Sequence, residues 1–170
     1  FNGRRGEAMS IGERSPIALA NPAASGRMAV AEAITNMAAA GVGELAALKL
    51  SANWMAAADQ AGGDADLFDA VHAVALDFCT SLGLSIPVGK DSLSIATRWQ
   101  QDGRPCEVIA PLSLVVTAFA PVSNVHTTWT PTLRTDVESV LVFIDLAPGR
   151  CRLGGSALAQ VYGQVGSDTP

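Results

Sequence analysis

The chain has 170 residues and 17.5 kDa, room for one full domain with part of another. Apolar residues make up 49 % and charged residues 16 %, which excludes a disordered chain and implies a well-filled core. The net charge of −5, from 11 basic and 16 acidic residues, excludes a nucleic-acid binder that works through a broad basic surface.

Residues 1–14 are rich in Gly and charge and read as a loop, with at most a short strand at Ala8-Met9-Ser10-Ile11. Ser15-Pro16 opens a helical stretch. Asn21-Pro22 is a helix-start signal, Asn as cap and Pro at the first helical position. Met28, Ala31, Ile34 and Ala38 then recur at helical steps, which predicts a helix over about 22–40, stopped by Gly41 and Gly43. Ala46 to Ser51 reads as a strand leading into Asn53-Trp54-Met55. Leu67, Val71, Val74, Phe78 and Leu82 share one face of a second helix, 64–82, ended by Gly83.

Leu84 to Val88 reads as a short buried strand running into Gly89-Lys90-Asp91-Ser92. Leu93 to Trp99 alternates as a strand does, and Asp102-Gly103 is a turn signal. Leu112 to Ala120 is almost wholly apolar and β-branched, the composition of a strand at the centre of a sheet. Pro121 to Asp136 loses hydrophobicity and marks a boundary. Beyond it, Ser139 to Leu146 reads as a new buried strand, and Leu153-Gly154-Gly155-Ser156 leads into a helical start at 157–162.

Glu32 and Asn36 lie four apart on the first helix and share a face, about 5–6 Å apart at Cβ. A carboxylate and an amide carbonyl are hard oxygen ligands of the kind Mg²⁺ accepts, with water and phosphate in its other positions. The same pair also fits an ordinary solvated face. Lys90, Asp91 and Ser92 follow a strand end, where open sheets often place ligand groups, and Lys is a compact cation for phosphate. Gly, Asp and Ser are equally common in a plain turn. The Gly154-Gly155 pair suits either a phosphate cradle of backbone N–H groups or a tight turn needing positive φ.

His72 and His126 have no nucleophile partner in sequence and read as structural or solvated. Cys79, Cys106 and Cys151 are widely spaced, so no zinc site or disulfide framework is expected. Reduced, mostly buried thiols point to the cytoplasm. No apolar run approaches the roughly 20 residues of a membrane span, and no signal-peptide pattern opens the chain. The chain begins and ends as though cut from something longer.

Several runs together resemble phosphoribosylformylglycinamidine synthase (FGAM synthase, formylglycinamide ribonucleotide amidotransferase) of the large single-chain type. They are Gly6-Glu7-Ala8-Met9-Ser10-Ile11-Gly12-Glu13-Arg14-Ser15-Pro16, Ala31 to Asn36, Lys49 to Ala57, Ile86 to Ser94, Pro111 to Val115 and Leu153 to Tyr162. The resemblance implies an ATP-dependent C–N ligase of purine biosynthesis. In that family formylglycinamide ribonucleotide, ATP and glutamine give formylglycinamidine ribonucleotide, by phosphorylation of the formamide oxygen and displacement by ammonia from a separate glutaminase domain. The implied fold is α+β, similar to the N-terminal subdomain of aminoimidazole ribonucleotide synthetase, whose sheet joins that of the first synthetase unit of the same chain in a central barrel.

On that resemblance, 1–122 is the N-terminal subdomain of the second synthetase unit, 123–136 a linker, and 137–170 the incomplete start of the C-terminal subdomain. Glu32 and Asn36 match Mg²⁺ ligands at an auxiliary nucleotide site. Lys90, Asp91 and Ser92 match a substrate- and ATP-binding strand end; small-subunit relatives carry Asn at Asp91. The implied cofactors are Mg²⁺ and ATP or ADP. No catalytic residue falls within the chain, so it is expected to be inactive alone. The alternatives are a non-catalytic scaffold half stabilised by its nucleotide, or another ATP enzyme of the same superfamily, such as a thiamine-phosphate kinase or selenophosphate synthetase. No nucleic-acid or membrane partner is expected.

Overall fold

The computed structural model describes residues 3–170. Its centre is a four-stranded sheet in the order β1-β6-β2-β3: β1 Gly6–Glu13, β6 Ser113–Val122, β2 Lys49–Met55 and β3 Ser85–Ser92. β6 runs antiparallel to both neighbours, whereas β2 and β3 are parallel. The expected α+β class is thus observed, and Leu112 to Ala120 is central as its composition required. The sheet is open, with β1 and β3 at its edges; the described residues form no closed barrel.

One face of the sheet is inside. Leu50, Ala52 and Trp54 of β2 and Leu114, Val116, Ala118, Ala120 and Val122 of β6 alternate inward, as the two-residue period of a strand dictates. Two helical stretches cover them. Helix α1 (Pro22–Met37) begins where Asn21 Oδ1 accepts a 2.9 Å hydrogen bond from the N–H of Ala24, with Pro22 at the first turn. It buries Ala29, Val30, Ala33 and Met37, and a 3₁₀ turn at Ala38–Ala40 ends in left-handed Gly41. Helix α2 (Gly63–His72) continues through a π turn at Ala73–Phe78 into α3 (Cys79–Ser81). α2 crosses α1 at Gly26, where a Cβ would lie 2.8 Å from Val74 Cγ2.

The tightest approach is between α1 and β1. A Cβ on Gly12 would stand 2.0 Å from the carbonyl oxygen of Ala29 and 2.5 Å from the nitrogen of Ala33. Only the missing side chain lets strand and helix backbones touch. Ser10 Oγ uses that proximity to donate to the Ala33 carbonyl at 2.6 Å.

Several expectations are corrected. Residues 6–13 form a full eight-residue strand rather than a loop with a short strand, because β6 lies in antiparallel register along the whole run and supplies its ladder. Residues 45–47 form a 3₁₀ turn, and β2 starts at Lys49. Residues 84–88 are not a buried strand: β3 is an edge strand and Val88 is 60 % exposed. Gly89 to Ser92 is not a turn either, since it extends β3 in parallel register with Ala52 to Met55. The hairpin β4 (Ala96–Gln101) and β5 (Arg104–Ile109) turns at Asp102 and Gly103, both with positive φ, as a type I′ turn requires.

Ser139 to Leu146 forms no strand and is not buried; Leu141 is 88 % and Phe143 89 % exposed. A strand needs a ladder partner, and among the described residues this run has none. Helix α4 (Ala157–Val161) is capped by Ser156, whose Oγ accepts from the N–H of Ala159.

Replacement of Gly12 by Ala is expected to destabilise the chain by about 3 kcal/mol, since backbone rather than a flexible side chain must yield. Gly43→Ala, where a Cβ meets nothing within 4 Å, should stay within about 0.5 kcal/mol. Urea denaturation of both variants measures the difference.

Candidate functional site

The end of β1 and the middle of α1 meet in a small polar cluster. Glu32 Oε2 accepts from the N–H of Glu13 at 2.8 Å. Glu32 Oε1 lies 2.9 Å from Nη2 of Arg14. One turn further along, Asn36 Nδ2 donates to the carbonyl of Ile11 at 2.9 Å. The pair therefore faces the strand. The chain after β1 is fixed too: the buried Ser25 donates through Oγ to the Arg14 carbonyl at 2.7 Å, and Ile17 N–H donates to the same oxygen. The Glu13 carboxylate accepts from the N–H of Ser15.

The donor set suits Mg²⁺ in kind. Asn36 spends its nitrogen on Ile11, which leaves its Oδ1 as the oxygen able to face a cation, and Glu32 adds a carboxylate. These two residues supply only part of an octahedral shell, and among the described residues no three His, Cys, Asp or Glu side chains cluster for a metal. Glu13 and Arg14, the two residues that hold Glu32, line a cavity of about 430 Å³ together with Met28, Gly155, Ser156 and Gln160 among others; Glu32 and Asn36 are not in its lining.

Gly154, Gly155 and Ser156 border that cavity as a turn, not as a free cradle. Their N–H groups already donate to Asp168, Val165 and Leu153 carbonyls, and Gly155 has φ +71°. A Cβ on Gly155 would come within 2.5 Å of Ile17 Cα.

Lys90, Asp91 and Ser92 lie at the far edge of the sheet on β3. Lys90 Nζ donates to Ser92 Oγ at 2.7 Å, and among the described residues no carboxylate pairs with it. In register, Glu13, Val115, Asn53 and Lys90 form one row across the outer face. Three strand spacings separate Glu13 from Lys90, about 14 Å. Asp91 pairs with Trp54 and so belongs to the opposite face from Lys90. The structure unites Glu32 with Asn36 and, separately, Lys90 with Ser92; it does not bring the two groups together.

Two residues of these sites were not singled out as site residues from the sequence. Arg14 holds Glu32, a long-range pairing with no local signature. Asn53 is the in-register neighbour of Lys90 and has a buried Oδ1 with no partner; its signal would have been the strand register. His72 lies beside Asp77 at 3.4 Å and is exposed, and His126 sits in a 3₁₀ turn. Burial raises the Cys79 thiol above its ordinary value. Cys106 is half-buried and Cys151 exposed, which corrects the expectation of mostly buried thiols.

An open mixed sheet with two helical stretches on one face, and a polar cluster where the first helix meets the edge strand, defines an N-terminal PurM-like domain. A family model described as the FGAR-AT PurM_N-like domain matches residues 1–121, and the chain belongs to that family. Phosphoribosylformylglycinamidine synthase II from Thermotoga maritima is similar in fold, with 22 % identity and a TM-score of 0.55 over 78 % of this chain and 20 % of that one. T. maritima PurL complexed with ADP gives 21 % identity and 0.54, over 77 % of this chain and 20 % of that one. T. maritima PurL complexed with FGAR gives 14 % and 0.50, over 71 % and 16 %. The chain spans about a fifth of the length of these relatives.

The exposed Cys151 should react with a thiol reagent such as Ellman's within the mixing time. Cys79 should react only after denaturant is added, because its thiolate is disfavoured and shielded. Mass mapping of the labelled peptides distinguishes them.

Proposed function

We propose that this chain is the N-terminal subdomain of the second synthetase unit of a large single-chain FGAM synthase, spanning 1–122, followed by a linker at 123–136 and the opening of the next subdomain at 137–170. The whole enzyme would convert formylglycinamide ribonucleotide, with ATP and glutamine-derived ammonia, to formylglycinamidine ribonucleotide in the cytoplasm. The carrying observation is the pairing of Glu32 and Asn36 on one helix face, both fastened to the end of β1 beside a cavity. The family membership and the ADP- and FGAR-bound relatives support the same reading.

In this reading Glu32 and Asn36 give two oxygens to the Mg²⁺ of a nucleotide lying toward the 430 Å³ cavity. That ion, when bound, offsets phosphate charge. Lys90 and Ser92 do different work at the β3 edge, three strand spacings or about 14 Å from Glu13. Lys90 is a cation held by a neutral hydroxyl, so its charge is free for an anionic substrate or the reacting nucleotide.

The outer face of the sheet carries Met9 at 67 %, Ile11 at 55 %, Val88 at 60 % and Phe119 at 43 % exposure. An apolar face of that kind suits cover by another sheet. The first synthetase unit of the same chain is the occupant this reading assigns, with the barrel closing between the two. The isolated chain, on this reading, forms no amidine by itself.

The separation of the two groups favours a second statement: the Glu32 site holds a nucleotide for stability rather than for reaction. Glu32→Ala in the full enzyme should then lose bound nucleotide and about 5–10 °C in melting temperature, partly restored by excess Mg²⁺–ADP. A stable, nucleotide-loaded but inactive variant would place that site in the reaction instead.

Lys90→Ala should lower ammonia-dependent amidine formation by roughly tenfold or more and leave glutaminase activity intact. Unchanged ammonia-dependent kinetics would reduce the β3 edge to a structural role.

A further inference from the structure

The Glu32 carboxylate is not waiting with two free oxygens. Oε2 is held by the Glu13 backbone, an attachment that needs no side chain to move. Oε1 is held by the Arg14 guanidinium at 2.9 Å. A cation seeking this carboxylate meets it through Oε1 and displaces only Arg14.

Arg14 is built to be displaced. Its carbonyl is fixed by Ser25 Oγ and Ile17 N–H, so the backbone stays in place, while the side chain, 44 % exposed, is held besides Glu32 only by an exposed 3.2 Å hydrogen bond from Nη1 to the Glu13 carbonyl. It also lines the 430 Å³ cavity, and among the residues lining that cavity it is the only basic one. The volume lies in the range of small-molecule sites. The backbone N–H groups of Gly154, Gly155 and Ser156 on the cavity wall are already bonded. An anion in the cavity therefore finds one lining cation, and a guanidinium fork matches phosphate oxygens.

We propose that Arg14 is an exchange residue: it neutralises Glu32 while no metal is bound, and on arrival of a metal–nucleotide it leaves Glu32 and turns to the phosphate. This rests on the reading of Glu32 as a metal ligand. Arg14 opposes binding of a bare divalent cation, by competition for Oε1 and by like-charge repulsion. It favours binding of the metal together with phosphate, where the released guanidinium gains a new anion. Arg14 thereby couples metal to nucleotide and keeps the site from filling with metal alone.

The test is calorimetric titration of the full-length protein, stripped of nucleotide, with Mn²⁺ alone and with Mg²⁺–ADP. Arg14→Met should bind Mn²⁺ roughly threefold more tightly, the small size expected of a half-exposed ion pair. It should bind Mg²⁺–ADP roughly tenfold more weakly, the loss of one charge-assisted contact. Arg14→Lys keeps the charge without the fork and should fall between for Mg²⁺–ADP, a check that holds should Arg14→Met fold poorly. Weakening of both probes by Arg14→Met would make Arg14 a mere support for Glu32 and overturn the proposal. Glu32→Gln separates the failures. If it abolishes Mg²⁺–ADP binding while both Arg14 variants bind like wild type, the exchange alone is wrong. If Glu32→Gln leaves Mg²⁺–ADP binding intact, the metal reading of Glu32 falls and the exchange with it.

Discussion

The polar cluster depends on one contact that leaves no room for a side chain, the approach of Gly12 on β1 to the Ala29 and Ala33 backbone of α1. Everything useful nearby is a consequence of that closeness. Ser10 reaches the Ala33 carbonyl, Glu32 reaches the Glu13 N–H and Asn36 reaches the Ile11 carbonyl, each bond crossing from helix to strand. A methyl group at residue 12 would separate the two backbones and lengthen all three. The buried face of α1 is mostly small, with Ala24, Ser25, Ala29 and Ala33, for the same reason: small side chains let α1 lie low on the sheet, and Gly26 does likewise between α1 and the Ala70–Val74 stretch.

The sheet then divides the labour. Its inner face is closed by aliphatic side chains and holds the domain together. Its outer face carries Met9, Ile11, Phe119 and Val88 around a polar centre at Thr117, Ser51 and Asn53, with the Lys90 ammonium at one edge. Glu32 sits behind the opposite edge strand, so the two polar groups address different volumes. A single ligand spanning both would have to cross the sheet, where Glu13 and Lys90 alone are three strand spacings or about 14 Å apart. The two polar groups are separate features of the fold, not parts of one continuous cluster.

How much could be read beforehand differs by element. The Asn21-Pro22 cap, the Asp102-Gly103 turn and the apolar run at 112–120 are local signals, and each sits where it was expected. The placement of Glu32 and Asn36 on one helix face was legible from helical spacing. Arg14 was not, because its partner lies 18 residues away and nothing in the local pattern links them. Lys90 to Ser92 fits a strand end or a turn by residue type, because Gly, Asp and Ser are common in turns; only the ladder to β2 makes that stretch part of an edge strand. The run at 139–146 is the reverse case. Its composition demands burial beside another strand, and composition cannot supply the partner.

The sequence by itself determined where helices begin and stop, which strand lies at the sheet's centre, and that two hard oxygen donors share a helix face. These follow from local sterics, side-chain period and the chemistry of single residues. Tertiary structure alone decided that this face turns toward β1, that Arg14 closes on Glu32, that the Gly154–Ser156 amides are spent on a turn, and that Lys90 stands a sheet's width away. Those are pairings between residues distant in the chain, set by which backbones can approach, and no local pattern records them.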